Sequence, residues 1–430
     1  MYVLAPHAFV ATCDLVSMVR GRSLPRAALL ESGAGSGWVP ANIAINAFGD
    51  LADPNPFNSL GDLRLIPDLD TEIVMPPFNG GAPLHLFLGN QTHIDGTPWD
   101  CDPRHHAQIA IQQLKDDFGL EVIASFEHEF TLISPHQTNG NPFGLDSLRM
   151  AEPFGTDLLT TLESVGLEPE NWLPEFGSGQ FEITLKPAPA LQAADRAILL
   201  REIVRDCARR HGLKASFVPL ISPTTVGNGV HVHLSLHVDG NPITYDSTQD
   251  GNLSIKARSA FNGILKHAEA LLAFTAPSQV SFLRLTPHRW STGSICIAEQ
   301  NREALLRLCP IVTVGNSNPE KSFNVEFRAA DATANPWLVI SVLLRALSSG
   351  LRSPEEPLTI VRGDLEKSQI ARALPTSLTD ALRAFGADAE VRSWFSDDLI
   401  ASYLGIRTAE KKRMKGLTDE EKCARYADVY

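Results

Sequence analysis

The chain has 430 residues, 43% hydrophobic and 20% charged, with a formal net charge of −13, values that exclude a disordered protein and leave room for a large catalytic domain plus a smaller one. The acidic balance argues against generic binding to nucleic acid or an anionic membrane, although a protein that gathers carboxylates around divalent cations would also come out acidic. Cys13, Cys101, Cys207, Cys296, Cys309 and Cys423 form no CxxC pair, no basic-then-apolar leader opens the sequence and no apolar run could span a bilayer, so the expectation is a reduced, cytoplasmic protein.

Residues 1–11 are mildly apolar and read as a first strand. The stretch 1–95 is rich in Gly, Pro and Asn, and runs such as Leu63-Arg64-Leu65-Ile66-Pro67 predict short strands joined by loops, hence a small β-rich domain. A boundary falls near Gly96-Thr97-Pro98-Trp99-Asp100, which gives a second domain over 96–430. It opens with Asp102 as N-cap and Pro103 as first residue of a helix through His106, Ile109, Ile111 and Leu114. Beyond it, Glu121–Ile133 and Val230–Val238 read as strands, and 191–210 (stopped at Gly212), 255–274 and 336–347 read as helices. Several strands alternate polar and apolar residues rather than being apolar on both faces. That predicts an α+β fold whose second domain holds a largely antiparallel, curved sheet or partial barrel with one face open to a ligand.

Four segments carry the chemistry. In Gly227-Asn228-Gly229-Val230-His231-Val232-His233-Leu234-Ser235-Leu236-His237, period two puts the three histidines and Ser235 on one strand face and Val230, Val232, Leu234 and Leu236 on the other. Glu127 and Glu129 lie two apart on Glu121–Ile133 and point the same way, roughly 7 Å apart along the strand. Taken alone, that pair is equally an ordinary solvated face. Glu175 and Glu182 flank the glycine-broken loop Phe176-Gly177-Ser178-Gly179-Gln180, which allows backbone to approach a ligand closely. Glu326 and Arg328 alternate in Asn324-Val325-Glu326-Phe327-Arg328, a pattern more often a salt bridge than a site. If these strands line one cavity, five glutamates gather negative charge away from bulk water, and divalent cations resolve that conflict. Oxygen-rich ligation with at most one imidazole suits Mg²⁺ or Mn²⁺ better than Zn²⁺, and two such ions beside Arg284, Arg302 and Arg307 would suit phosphoryl transfer.

The order ExE, E-x-G-x-G-Q-x-E, G-N-G-x-H-x-H-x-S, S-F-x-R-L, N-R-x-x-x-x-R and E-x-R-x-x-D, with Gly61-Asp62-Leu63-Arg64-Leu65-Ile66-Pro67-Asp68 before them, resembles the glutamine synthetase family of type I architecture over nearly the whole chain. The resemblance implies a small N-terminal β-grasp domain, a catalytic domain on a curved antiparallel sheet, and a homo-oligomeric double ring (dodecamer) with sites shared between subunits. It also implies two or more divalent ions per site and ATP as co-substrate: Glu129, Glu175 and Glu182 would hold one metal, and Glu127, His231 and Glu326 the other. His233, Ser235 and Arg307 would face the nucleotide, Arg302, Arg307 and Glu175 would serve catalysis, and Gly227, Arg284 and Arg328 would bind L-glutamate. His237 receives no role.

Two departures bear on the third substrate. Family members that use ammonia carry a D-G-S-S type segment in the small domain, where this chain reads Gly37-Trp38-Val39-Pro40-Ala41-Asn42. They also carry a flap R-L-x-P-G-x-E-A-P, where this chain reads Arg284-Leu285-Thr286-Pro287-His288-Arg289-Trp290-Ser291. Both changes remove a negative charge, and Trp38 and Trp290 add apolar area that favours a substituted amine. The expected activity joins glutamate to an organic amine through a γ-glutamyl phosphate, with a true glutamine synthetase as the alternative. The same tryptophans also suit a loop or subunit interface.

Overall fold

Alternating burial organises the N-terminal sheet in the computed structural model, which describes residues 6–134, 140–286, 289, 291–315, 317–354 and 358–430. Strand His7–Cys13 buries Ala8, Val10 and Ala11, and pairs antiparallel with Val19–Pro25 and parallel with Leu84–His93. Leu63–Pro67 and Ser36–Trp38 extend the sheet from Leu84–His93, which also pairs with Ile73–Met75. The short helix Arg26–Ser32 packs against the first two strands, giving the small β-grasp unit expected. The first strand lies later than the 1–11 read from sequence, because the buried alternation runs on to Cys13; residues 1–5 fall outside those described.

Helix Pro103–Phe118 starts as expected: the Asp102 side chain accepts from Arg104 N, proline fills the first position, and Gly119 closes the helix at φ 63°. The large sheet then runs in the order Ile360–Val361, Ser294–Glu299, Ala304–Leu308, Val325–Ala330, Val230–Val238, Glu121–Ile133, Gln180–Leu185, Pro169–Pro174. Its pairings along this path are antiparallel, except that Ser294–Glu299 runs parallel to Ala304–Leu308 and Ile360–Val361. Glu121–Ile133 alternates throughout, burying Val122, Ala124, Phe126, His128, Phe130 and Leu132 on one face. Each phenylalanine stabilises the fold by roughly 2–3 kcal/mol. His128 belongs to this core, and burial pushes its imidazole pKa down to about 3.

Helices Ala190–Arg210 and Ile255–Thr275 back the sheet, and Pro336–Arg352 lies among them, buried from Pro336 to Gly350. That helix continues past the expected stop at 347. Ser348-Ser349-Gly350 resembles a helix end in sequence, but these small residues let it cross Ile255–Thr275 at backbone contact. A Cβ on Gly263 would lie 1.9 Å from Ala346 O, and one on Gly350 2.1 Å from Ser259 O. Polar pairs tie the N-terminal segment to the rest of the chain: Arg104 pairs with Asp68 and Asp195 at 2.8 Å each, and Ser17 donates to Ala334 O at 2.7 Å. Among the described residues, no helix is long and apolar enough to cross a membrane.

Candidate active site

Strand register assembles the site. Glu129 stands opposite Glu182, Glu127 opposite His231, and His233 opposite Glu326, which is in turn opposite Arg307. Residues directly opposite share a face with neighbouring Cβ atoms roughly 5 Å apart, so five strands deliver their polar side chains to one surface. Two clusters result. In each of Glu129–Glu175–Glu182 and Glu127–His231–Glu326, one ligand atom per residue lies within 4.8 Å of the others.

The glycines around these strands clear the space the site needs. A Cβ on Gly227 would lie 2.3 Å from Arg284 Cγ, and one on Gly229 would lie 2.8 Å from Arg284 Nη1 and 2.9 Å from His231 Nε2. Gly229 N also donates to Glu129 Oε2 at 2.6 Å. Gln180, which sequence reasoning passed over, ties the two glycine-bearing loops together. Its Nε2 donates to Gly227 O at 2.9 Å and Asn228 Oδ1 at 3.0 Å, while its Oε1 accepts from Gly177 N at 2.9 Å. Asn324, which precedes the Glu326 strand and received no role in the sequence, has its Oδ1 2.8 Å from His233 Nδ1.

The electrostatics split the glutamates. Burial, reinforced by the neighbouring carboxylates, raises Glu175 to about 7 and Glu182 to about 10. Glu326 is more deeply buried still, yet against that burial His231, Arg328, His233 and Arg307 hold it at about 2. Arg307 Nη1 reaches Glu326 Oε2 at 2.5 Å, and Arg328 donates to Oε1. Burial would likewise raise Glu127, but hydrogen bonds from His231, at 2.7 Å, and from His233 hold it well below the usual range. A cluster of three glutamates, two of which repel their own ionisation, is a donor set that a hard divalent cation would neutralise. The second cluster adds one imidazole to two carboxylates, so both fit Mg²⁺ or Mn²⁺.

The clusters open into a cleft of about 1150 Å³ lined by Gly227, Arg284, Arg302, Arg307, Arg328 and His233 together with the glutamates. Arg284 is buried and donates to Ala330 O at 2.7 Å; Arg328 Nε donates to Arg302 O at 2.7 Å. Ser235 stands farther along its strand, outside this lining, with Oγ 3.1 Å from His237 Nε2. Trp38 lies in the small domain's sheet, nearly buried, with the Arg22 guanidinium 5.9 Å from its ring centroid, and does not line this chain's cleft. Trp290 lies outside the described residues.

Two family models cover most of the chain. The glutamine synthetase N-terminal domain model matches residues 7–99, and the glutamine synthetase catalytic domain model matches residues 100–426. Gamma-glutamylpolyamine synthetase GlnA3 of Streptomyces coelicolor is 30% identical over 98% of this chain and 93% of its own length. A glutamine synthetase of the same organism is 37% identical over 81% of this chain and 82% of its own. Among solved structures, the crystal structure of a novel glutamine synthase homolog superposes with a TM-score of 0.92 at 39% identity, over 100% of both chains.

Proposed function

The chain belongs to the glutamine synthetase family, whose members are ATP-dependent ligases that use divalent metals, and on that premise we propose that it joins the γ-carboxylate of L-glutamate to an organic amine. Residues 1–95 form the small domain and 96–430 the catalytic domain. Glu129, Glu175 and Glu182 hold one divalent ion, and Glu127, His231 and Glu326 hold another. When bound, the ions neutralise the glutamates and the charge of the phosphates. Arg284, beside Gly227, and Arg328 grip glutamate, His233, Ser235 and Arg307 meet the nucleotide, and Arg302, Arg307 and Glu175 surround the transferred group.

Two displacements follow. The γ-carboxylate attacks the γ-phosphate of ATP and releases ADP, because a carboxylate is a poor electrophile until one oxygen becomes phosphate. The neutral amine then attacks the acyl phosphate carbon and expels phosphate to leave the amide, with the arginine charges stabilising the leaving group.

The observation that carries the amine reading is how the cleft's charge is committed. Among the described residues, its four lining carboxylates, Glu127, Glu129, Glu175 and Glu182, all belong to the two clusters, and the rest of the wall includes Phe143, Phe176, Val226 and Val312. An NH₄⁺ site needs a carboxylate to collect the cation, whereas a substituted amine gains from apolar walls. The sequence departures that bring in Trp38 and Trp290 are in keeping with such a pocket. Trp38, outside its own chain's cleft, would serve a neighbouring subunit's cleft in a double ring. The six free cysteines suit the reduced cytoplasm. The 37% identity to a glutamine synthetase favours ammonia as the second reading. Phosphate release from ATP that requires both glutamate and an amine, with the amide identified by mass, tests the ligase reading. Release without either co-substrate overturns it.

A further inference from the structure

The charge left over in the cleft restricts which amine can enter. Once Arg284 and Arg328 are assigned to glutamate and Arg302 and Arg307 to the phosphoryl group, one arginine among the described lining residues is unused: Arg289, exposed, its Nη1 3.4 Å from Thr225 O. Among the described residues it makes no ion pair. Its position follows from the chain. Thr225 is two residues before Gly227, and Arg289 is five residues after Arg284, so the guanidinium stands over the end of the cleft that receives glutamate. The amine must attack the γ-carbonyl of that same glutamate, so its substituent passes within reach of Arg289. The same cleft also offers half-exposed apolar side chains, Phe143, Phe176 and Val312, at 52%, 50% and 46% exposure.

We propose that the acceptor is a monoamine with an uncharged, apolar substituent, and that Arg289 is a specificity-determining residue that turns away diamines and polyamines. This inference rests on the amine-ligase reading above. A second ammonium entering the cleft meets a guanidinium with no compensating carboxylate among the described residues, where every lining carboxylate is engaged in a cluster. Like charges repel at such a position even when it is exposed, the more so at low ionic strength. The apolar wall, by contrast, gains from a hydrocarbon tail and loses when that tail ends in a charge.

The test compares amines of equal chain length, n-butylamine and 1,4-diaminobutane, with ammonia alongside, using the full-length protein with ATP, L-glutamate and Mg²⁺. The expected kcat/KM for butylamine exceeds that for the diamine by about tenfold or more. R289E should lower that ratio by about tenfold, with R289Q in between. Both are substitutions at an exposed position that the folded protein should accept. A diamine used as well as butylamine overturns the inference, as does a ratio that R289E leaves unchanged. If ammonia outperforms both amines, the amine-ligase reading falls and this inference with it. If the diamine wins while ammonia stays poor, only this inference falls.

Discussion

Glu182 should destabilise the metal-free protein at neutral pH, and Glu182→Gln should relieve that cost. Burial and the charges of Glu127, Glu129 and Glu175 raise the carboxyl from 4.5 to about 10. The folded, metal-free chain therefore carries Glu182 protonated at pH 7.5, while the unfolded chain carries it ionised. The native state binds the extra proton, so stability contributed here is full below the unfolded value of 4.5 and is lost as pH rises toward the folded value of about 10. At pH 7.5 the loss covers about 3 pH units at roughly 1.4 kcal/mol each, or about 4 kcal/mol. Its size depends on the unfolded pKa and the pH, not on how far above 7.5 the folded value lies. Glutamine keeps the shape of the protonated acid without that cost. In EDTA, Glu182→Gln should raise the melting temperature at pH 7.5 by about 4 °C for a chain of this length, and by less than 1 °C at pH 5. Adding Mg²⁺ should stabilise the parent protein more than the variant, because a ligand is gone. A variant that melts lower than its parent in EDTA at pH 7.5, or shifts equally at both pH values, would refute the reasoning.

Glu129→Ala removes a ligand while its cluster-mates still repel, so turnover should fall by ~100-fold or more with the fold retained by circular dichroism; near-normal turnover in the folded variant would remove the metal assignment. Gly263→Ala pushes a methyl toward Ala346 O, 1.9 Å from an ideal Cβ, and should cost about 3 kcal/mol or more in chemical denaturation. An unchanged midpoint would mean the helices do not cross at backbone contact. Light scattering should show the active species to be a large ring oligomer; a fully active monomer would contradict sites shared between subunits.

Much of the site was legible because strand alternation is a local property. Glu121–Ile133 and Val230–Val238 were read with the bounds the structure gives, since the apolar half of each faces the core and leaves the glutamates and histidines on the other side. What alternation cannot supply is register. That Glu129 meets Glu182, or that Gln180 bridges Gly177 and Gly227, depends on pairings between segments far apart in sequence. The true end of Pro336–Arg352 was hidden for a different reason, because Ser348-Ser349-Gly350 reads as a stop until its close partner helix is known. The parallel course of Ser294–Glu299 within an otherwise antiparallel path had no sequence signal at all.

The central claim is that an organic amine, not ammonia, is the nucleophile, and a single-vessel competition tests it most directly. Glutamate, ATP and Mg²⁺ are supplied with equal concentrations of ammonia and a primary alkylamine, corrected for the fraction of each present as free base, and the two amides are quantified by mass. With a few kcal/mol of differential burial against the apolar wall, the γ-glutamyl alkylamide should form in excess of glutamine by on the order of a hundredfold. Glutamine as the major product would contradict the account and make the protein a glutamine synthetase.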